Sequence, residues 1–207
     1  MDERAKWEQR YRQAAEQPFY GREPSPFVVR ALPLLPAPGR CLDVAGGEGR
    51  NALFLAARGW QVTLVDVAVA GVATARRRAA QECRPLALVV ADTDHWPLCP
   101  GAARWDLILV VNYHSRALVA AAATMLRPGG ALLVEGFARE QLGRSSGGPQ
   151  DPELLWRPNE LIELVAFPGG GAPSLRVVWY EDRLVSGDDS PRHRGPKWVV
   201  RLVARRG

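Results

Sequence analysis

The sequence predicts an α/β protein: a Rossmann-like, doubly wound, mostly parallel seven-stranded sheet with an antiparallel last strand. Three observations predict it. Between Arg40 and Phe137, apolar runs alternate with helix-like stretches and glycine turns, the pattern of βα units in a parallel sheet. The runs are nearly unbroken, as expected when helices cover both sheet faces. After Phe137 come two more strand-like runs joined by a polar, proline- and glycine-bearing connection, which suits a terminal antiparallel hairpin.

Each element follows from local pattern. Residues 3–16 are polar with Trp7, Tyr11, Ala14 and Ala15 near helical spacing, so a short amphipathic helix is expected. The stretch from Pro18 to Pro26 breaks it. A second short helix covers 27–35, entered at Pro26 and closed by the prolines from Pro33 to Pro38. Residues 1–38 are thus expected to be a helical cap on a core of 39–207, a single domain overall. Strand 40–45 leads through a glycine-rich turn to helix 51–58, which stops at Gly59. Strand 61–66, helix 69–82 and strand 86–91 follow. A loop over 92–104, turning at Pro100 and Gly101, reaches strand 105–111. Helix 116–126 and a turn at Pro128, Gly129 and Gly130 lead to strand 131–137. Residues 141–152 are polar and glycine-rich, and a loop of that length in a compact domain is expected to be a lid. A short helix begins near Asn159, and strands 175–185 and 197–204 complete the sheet.

Composition narrows the class. The chain has 207 residues, 47% hydrophobic and 24% charged, which suits a globular fold. No apolar run reaches membrane-spanning length, and the N-terminus has no signal-like apolar stretch, so a cytoplasmic protein is expected. Cys41, Cys83 and Cys99 are odd in number and show no CxxC spacing, against a disulfide framework or a zinc site, and no metal ligand is expected. The net charge of +5 comes from arginines spread along the chain, with runs only at 76–78 and 205–206, which argues against a nucleic-acid partner.

The glycine turn carries the functional signal. Asp43-Val-Ala-Gly-Gly-Glu-Gly49 follows an apolar run, and the next strand ends in Asp66. Such a βαβ unit grips a nucleoside: glycines admit the ligand to the backbone, and the second carboxylate takes ribose hydroxyls. The acid Asp43, three residues before Gly46, gains nothing beside a pyrophosphate but favours a cationic ligand, as does Glu48. The spacing also departs from GxGxxG.

On these residues the sequence resembles the class I S-adenosylmethionine-dependent methyltransferases, with Ala45 standing where that family has its first glycine. Asp66 falls at the family's ribose acid and Ala91-Asp92 at its adenine contact. The link Asp94-His-Trp-Pro-Leu98, with Trp96 near adenine, and the Leu126-Arg-Pro-Gly-Gly130 turn are further landmarks. Trp7-Glu-Gln-Arg-Tyr11, Tyr20-Gly21, Pro24-Ser-Pro-Phe27, Glu135-Gly-Phe137 and Pro158-Asn-Glu-Leu161 are similar to the tellurite-resistance and thiopurine-methyltransferase-like branch, which acts on small acceptors. The resemblance implies S-adenosylmethionine as cofactor and S-adenosylhomocysteine as product. The implied cofactor contacts are Tyr20, Asp43, Ala45, Gly46, Gly47, Gly49, Asn51, Asp66, Val67, Asp92, Thr93 and Asn112.

The acceptor pocket is expected beyond the strands ending at Val111 and Phe137. His114 is a base or acceptor-orienting donor there, or a packed and capping histidine. Arg116 binds an oxyanion or is a solvated first-turn arginine. Glu135 takes a proton or only hydrogen-bonds at its strand end. Arg144 is a candidate grip on the lid. The expected partner is a small, soft or anionic acceptor such as tellurite, selenite, a thiol or a halide, and the protein is expected to be a monomer or homodimer. The alternatives are an RNA or protein methyltransferase, which the missing Asn/Asp-Pro-Pro-aromatic signature at Asn112 disfavours, and a non-catalytic binder of the same cofactor.

Overall fold

A computed structural model of the chain describes residues 3–14, 17–93, 102–186 and 193–207. Cys99, Trp96, the 94–98 link, the Pro100-Gly101 turn and most of the 186–196 connection lie outside the described residues. Seven strands form one sheet in the order β3-β2-β1-β4-β5-β7-β6. They are β1 (Arg40–Val44), β2 (Gln61–Asp66), β3 (Ala87–Val90), β4 (Trp105–Val111), β5 (Leu126–Phe137), β6 (Leu175–Val185) and β7 (Lys197–Arg206). β1 to β5 pair in parallel, and β7 runs antiparallel to both β5 and β6. The Rossmann-like sheet with its reversed last strand is as expected. The helices are α1 (Glu3–Gln13), α2 (Pro26–Ala31), α3 (Arg50–Ala56), α4 (Val69–Gln81), α5 (Arg116–Met125) and α6 (Glu160–Ala166). Among the described residues, no helix is long and apolar enough to cross a membrane.

The apolar strands split by alternation into two cores. Leu42, Ile108, Val110, Leu132 and Val134 face α5 and α6, packing with Val119, Met125 and Trp156. Cys41, Leu107, Leu109 and Leu133 face the other way, onto Phe27, Leu55, Trp60 and Val72. A strand sends successive side chains to opposite faces, so only a run apolar at every position can serve both layers. Two hydroxyl caps set helix starts: Ser25 accepts from the Phe27 N–H with Pro26 behind it, and Ser115 accepts from the Leu118 N–H.

The turn expected at Pro128, Gly129 and Gly130 is instead carried inside β5, which begins at Leu126 opposite Trp105. The register shifts between Trp105 and Leu107, and the glycines absorb the irregularity. Gly129 has φ +78°, and a Cβ on Gly130 would meet the Arg127 and Trp105 carbonyls at 2.9 and 3.0 Å.

One buried polar network joins the last strand to the N-terminus. Arg201 of β7 is fully buried and stands opposite Glu135 of β5 in the register. Its guanidinium reaches Glu135 at 2.9 Å and Glu181 of β6 at 3.3 Å, and lies 5.3 Å from the Phe27 ring. Glu135 also accepts from the Ser25 hydroxyl, and the Ser25 N–H donates to Asn51 at 2.9 Å. Removing the cation strands buried carboxylate, so Arg201→Met is expected to cost about 3–5 kcal/mol. Urea denaturation measures this; an unchanged midpoint and slope would contradict it.

The turn after β1 answers the question that Ala45 raises. Ala45 sits at φ +52°, a left-handed conformation that an L side chain holds at a cost of about 1–2 kcal/mol. Gly46 beside it has no room for a side chain, since a Cβ would strike Leu64 at 2.7 Å and the Asp43 carboxylate at 2.9 Å. Ala45→Gly relieves the strain but adds about 0.5–1 kcal/mol of unfolded-state entropy. The expected result is stability unchanged or raised by up to about 1 kcal/mol, with Ala45→Val destabilised. Thermal melts decide it, and a clear loss in the glycine variant would refute the strain.

Candidate active site

The carboxyl ends of β1, β2, β4 and β5 open into a cavity of about 690 Å³. Its lining falls into three sectors, each built by a different part of the chain.

The first sector is acidic. Asp43, Asp66 and Asp92, at or just past the ends of β1, β2 and β3, all line the cavity. Asp43 is buried, and one of its carboxylate oxygens has no hydrogen-bond partner. Burial pushes its pKa up to about 7, with repulsion from Asp66 adding and attraction to Arg50 opposing. Asp66 accepts from the Gly47 N–H at 2.8 Å and the Ala68 N–H at 2.9 Å. Burial raises its pKa too, while those backbone donors hold it back.

The second sector is a strap made of α1 and the chain up to Ser25. Glu8 accepts from the Ala70 N–H, Glu48 from the Phe19 N–H, and Arg78 donates to the Arg22 carbonyl at 3.2 Å. Tyr11, nearly fully buried, wedges between the glycine turn and α4. A Cβ on Gly47 would meet its hydroxyl at 2.4 Å, and one on Gly71 its ring at 2.9 Å. Glycine is required at both positions by this close approach. The strap presents an aromatic face, Trp7 to Tyr11 at 5.6 Å and Phe19 to Tyr20 at 4.9 Å between ring centroids. Such aromatic pairs contribute about 0.5–1.5 kcal/mol each beyond the area they bury.

The third sector lies beyond β4 and β5. Asn112, at φ +58°, turns the chain off β4 while its N–H stays bonded to the Glu135 carbonyl at 2.8 Å. His114 then packs on Trp156, ring centroids 4.2 Å apart, and its Nε2 has no partner. Burial lowers its pKa and nearby Arg116 lowers it further. His193 sits 5.0 Å from Phe137 and 5.5 Å from Tyr20. Burial drives its pKa down to about 4, with Lys197 and Arg50 adding to the fall. The loop expected as a lid supplies Gly148, Pro149, Gln150 and Asp151 to the wall. Buried Gln141 holds its near end, donating to Ser146 and to the Gly147 carbonyl.

Most of the expected residues meet here. Tyr20, Asp43, Ala45, Gly46, Gly47, Asn51, Asp66, Val67, Asp92, Thr93, Asn112 and His114 all line the cavity. Gly49, Arg116 and Glu135, expected at the site, do not line the cavity. Gly49, at φ +79°, lies behind the turn, where a Cβ would press on Ala75 at 3.1 Å, and opens α3 rather than facing the cavity. Arg116 turns away to pair with buried Glu160 at 2.5 Å. Burial alone would raise the Glu160 pKa, yet hydrogen bonds from Arg116 and Arg157 hold it at about 2. Glu135 belongs to the Arg201 network and faces the strap's Ser25. Neither geometry supports a catalytic role. Arg144 lies over Trp198, outside the wall.

Sequence reasoning missed Arg50, Trp156 and His193, and Phe137 lines the cavity at the strand end where the pocket was expected. Arg50 directly follows the glycine turn, which is a usable signal. His193 has none, because only the insertion of β7 between β5 and β6 brings its loop to the cavity.

Comparison with known proteins agrees with this arrangement. No curated protein matches the sequence. A solved structure described as converting a disulfide bond into a thioacetal group during echinomycin biosynthesis overlays with a TM-score of 0.70, at 18% identity, over 99% of this chain and 92% of that one. TehB from Haemophilus influenzae gives 0.65 at 18% identity, over 87% of this chain and 62% of TehB. A SAM-dependent methyltransferase from Methanosarcina mazei gives 0.64 at 13% identity, over 89% and 98%. At such identities these likenesses establish the fold. Residues 41–130, from β1 to the start of β5, match the family described as a methyltransferase domain. The segment from β1 to the start of β5 is thus similar to a methyltransferase domain, on a fold shared with S-adenosylmethionine-dependent methyltransferases.

Proposed function

We propose that this protein transfers a methyl group from S-adenosylmethionine to a small, soft or anionic acceptor seated between His114, Trp156, Phe137 and His193. The observation that carries the reading is the convergence of Asp43, Asp66 and Asp92 on one cavity around a glycine turn. The residues fit the donor. A glycine cradle leaves no room for side chains, and a buried carboxylate oxygen lacks a partner, as suits a ligand bearing positive charge. Asp66 and Asp92 would hold its ribose and adenine, and Asp43 would face its cationic tail.

Once bound, S-adenosylmethionine supplies an electrophilic methyl group on a sulfonium. The chain's own contribution is placement and dryness. Trp156, Phe137, Tyr20 and Phe19 wall off water, which strengthens electrostatic interaction inside and holds the acceptor in line. Both His114 and His193 have lowered pKa values and are neutral at pH 7, so either imidazole could take a proton from a thiol or hydroxyl acceptor. An acceptor that arrives as an anion needs no base.

Release of S-adenosylhomocysteine should be followed with tellurite, selenite, thiols, halides and small phenols. Turnover with at least one is expected; calorimetry showing no binding of S-adenosylmethionine would sink the assignment. A pH series adds an internal check. The folded-state pKa of Asp43 is raised, so its neutral form stabilises the free protein, a contribution full below about pH 4 and lost as pH rises through about 7. A cation brought beside it favours the carboxylate, so binding expels a proton wherever the free carboxyl holds one. Affinity is expected to rise with pH up to about 7 and level off above, and Asp43→Asn should flatten the profile. A flat profile in the unsubstituted protein would contradict this role.

A further inference from the structure

Arg78 does not line the cavity, yet it holds two of the parts that do. It is a buried residue of α4. Its Nη1 donates to the carbonyl of Glu48 in the glycine turn at 3.0 Å, and its Nη2 donates to the carbonyl of Arg22 in the strap at 3.2 Å. Glu48 reaches the strap as well, its Oε2 taking the Phe19 N–H. Asn51 of α3 takes the Ser25 N–H at 2.9 Å. Residues 17–25 form neither helix nor strand, and these bonds run to their backbone from side chains of the glycine turn, α3 and α4. The rings of Phe19 and Tyr20 are left to line the cavity.

The clasp is incomplete as it stands. Nε of Arg78 and Oε1 of Glu48 are both buried without a partner. Glu82, one helical turn beyond Arg78, stays 3.8 Å from Nη2 and is half-exposed, so it is a weak counter-charge. A buried polar atom with no partner carries its full desolvation penalty, and water would relieve that penalty if the strap lifted. Closure gains hydrogen bonds to the strap backbone and loses hydration at two atoms. We propose that Arg78 is a positioning residue that clamps the strap to the glycine turn, and that the strap lifts to admit the methyl donor and closes to retain it. A donor seated on the turn beneath Phe19 and Tyr20 favours the closed strap, because only that state encloses it. The inference rests on the donor reading above and deepens it: the time for which the donor stays is set by a residue outside its pocket.

Two measurements test the clamp. The first is backbone hydrogen exchange of the unsubstituted protein, with and without S-adenosylmethionine. The Phe19 and Ser25 amides are expected to exchange well ahead of the β4 amides and to slow when the donor binds. Exchange as slow as that of β4 would mean that the strap lifts only on global unfolding, and no slowing with bound donor would mean that the donor does not close it; either overturns the proposal. The second is the rate of S-adenosylmethionine association and dissociation, followed by stopped-flow tryptophan fluorescence, since Trp7 and Trp156 line the cavity. The unsubstituted protein is compared with Arg78→Met and Arg78→Lys, and melting curves confirm the fold. Arg78→Met is expected to release the donor about 10-fold faster, the weight of one or two net hydrogen bonds, with association within about threefold. Arg78→Lys keeps the charge and one donor for a carbonyl, so it should fall between, and it carries the comparison if Arg78→Met does not fold. An unchanged dissociation rate, or weaker binding that comes through association alone, would reduce Arg78 to a support of the fold and overturn its role while leaving the donor reading intact. No binding of S-adenosylmethionine to the unsubstituted protein overturns both.

Discussion

A guanidinium is expensive to bury unless every side of it finds a partner, and Arg201 finds them on three elements at once. The antiparallel register places it opposite Glu135, so the pair exists only if β7 lies between β5 and β6 in the right alignment. A slip of one residue would turn Arg201 to the other face. The same Glu135 takes the Ser25 hydroxyl, and Ser25 in turn bonds Asn51 at the start of α3. The strand that completes the sheet, the strap that walls the cavity and the helix that follows the glycine turn thus share one anchor.

From that anchor the cavity acquires a polarity. Carboxylates gather where the three parallel strands β1, β2 and β3 end, and aromatic rings with two neutral imidazoles gather beyond β4 and β5. On the proposed reading, the first region suits a cationic donor and the second a proton-bearing or anionic acceptor. The strap's aromatic residues Trp7, Tyr11, Phe19 and Tyr20 line the same cavity as both regions. Besides the Ser25 anchor, the strap's fastenings include single hydrogen bonds in which Glu8 and Glu48 accept from backbone N–H groups and Arg78 donates to a backbone carbonyl. Each contributes about 1 kcal/mol or somewhat more where charge assists, which suits a segment that must hold and still release.

Much of this was legible in the sequence because it follows from local periodicity. The run Leu107–Val111 is apolar at every position, and it is the part of its strand buried on both faces. Asp43, Asp66 and the glycines between them sit at the ends of such runs, so their place in the cavity needed no long-range information. Glu135 and Arg116 also stood at strand and helix ends, and the same logic placed them in the pocket. Their true partners lie 66 and 44 residues away, and no spacing rule announces that Arg201 or Glu160 will neutralise them. The left-handed backbone at Ala45 was legible only as a question, since composition shows that alanine replaces glycine but not whether the angle is kept. Tyr11 was readable as a helix-face aromatic, but not as the reason that Gly47 and Gly71 lack side chains.

The position of β7 has a consequence in time. A chain made from its N-terminus has β1 to β5 available long before β7, yet β7 lies inside the sheet, with β6 outside it. Until β7 arrives, β5 presents an open edge and Glu135 has no cation. Ser25 is made well before Arg201, so its carboxylate partner Glu135 meets that guanidinium only later. The anchor of Ser25, Glu135 and Arg201 is therefore completed only when β7 docks on β5, whereas the strap's bonds through Glu8, Glu48 and Arg78 involve nothing beyond α4.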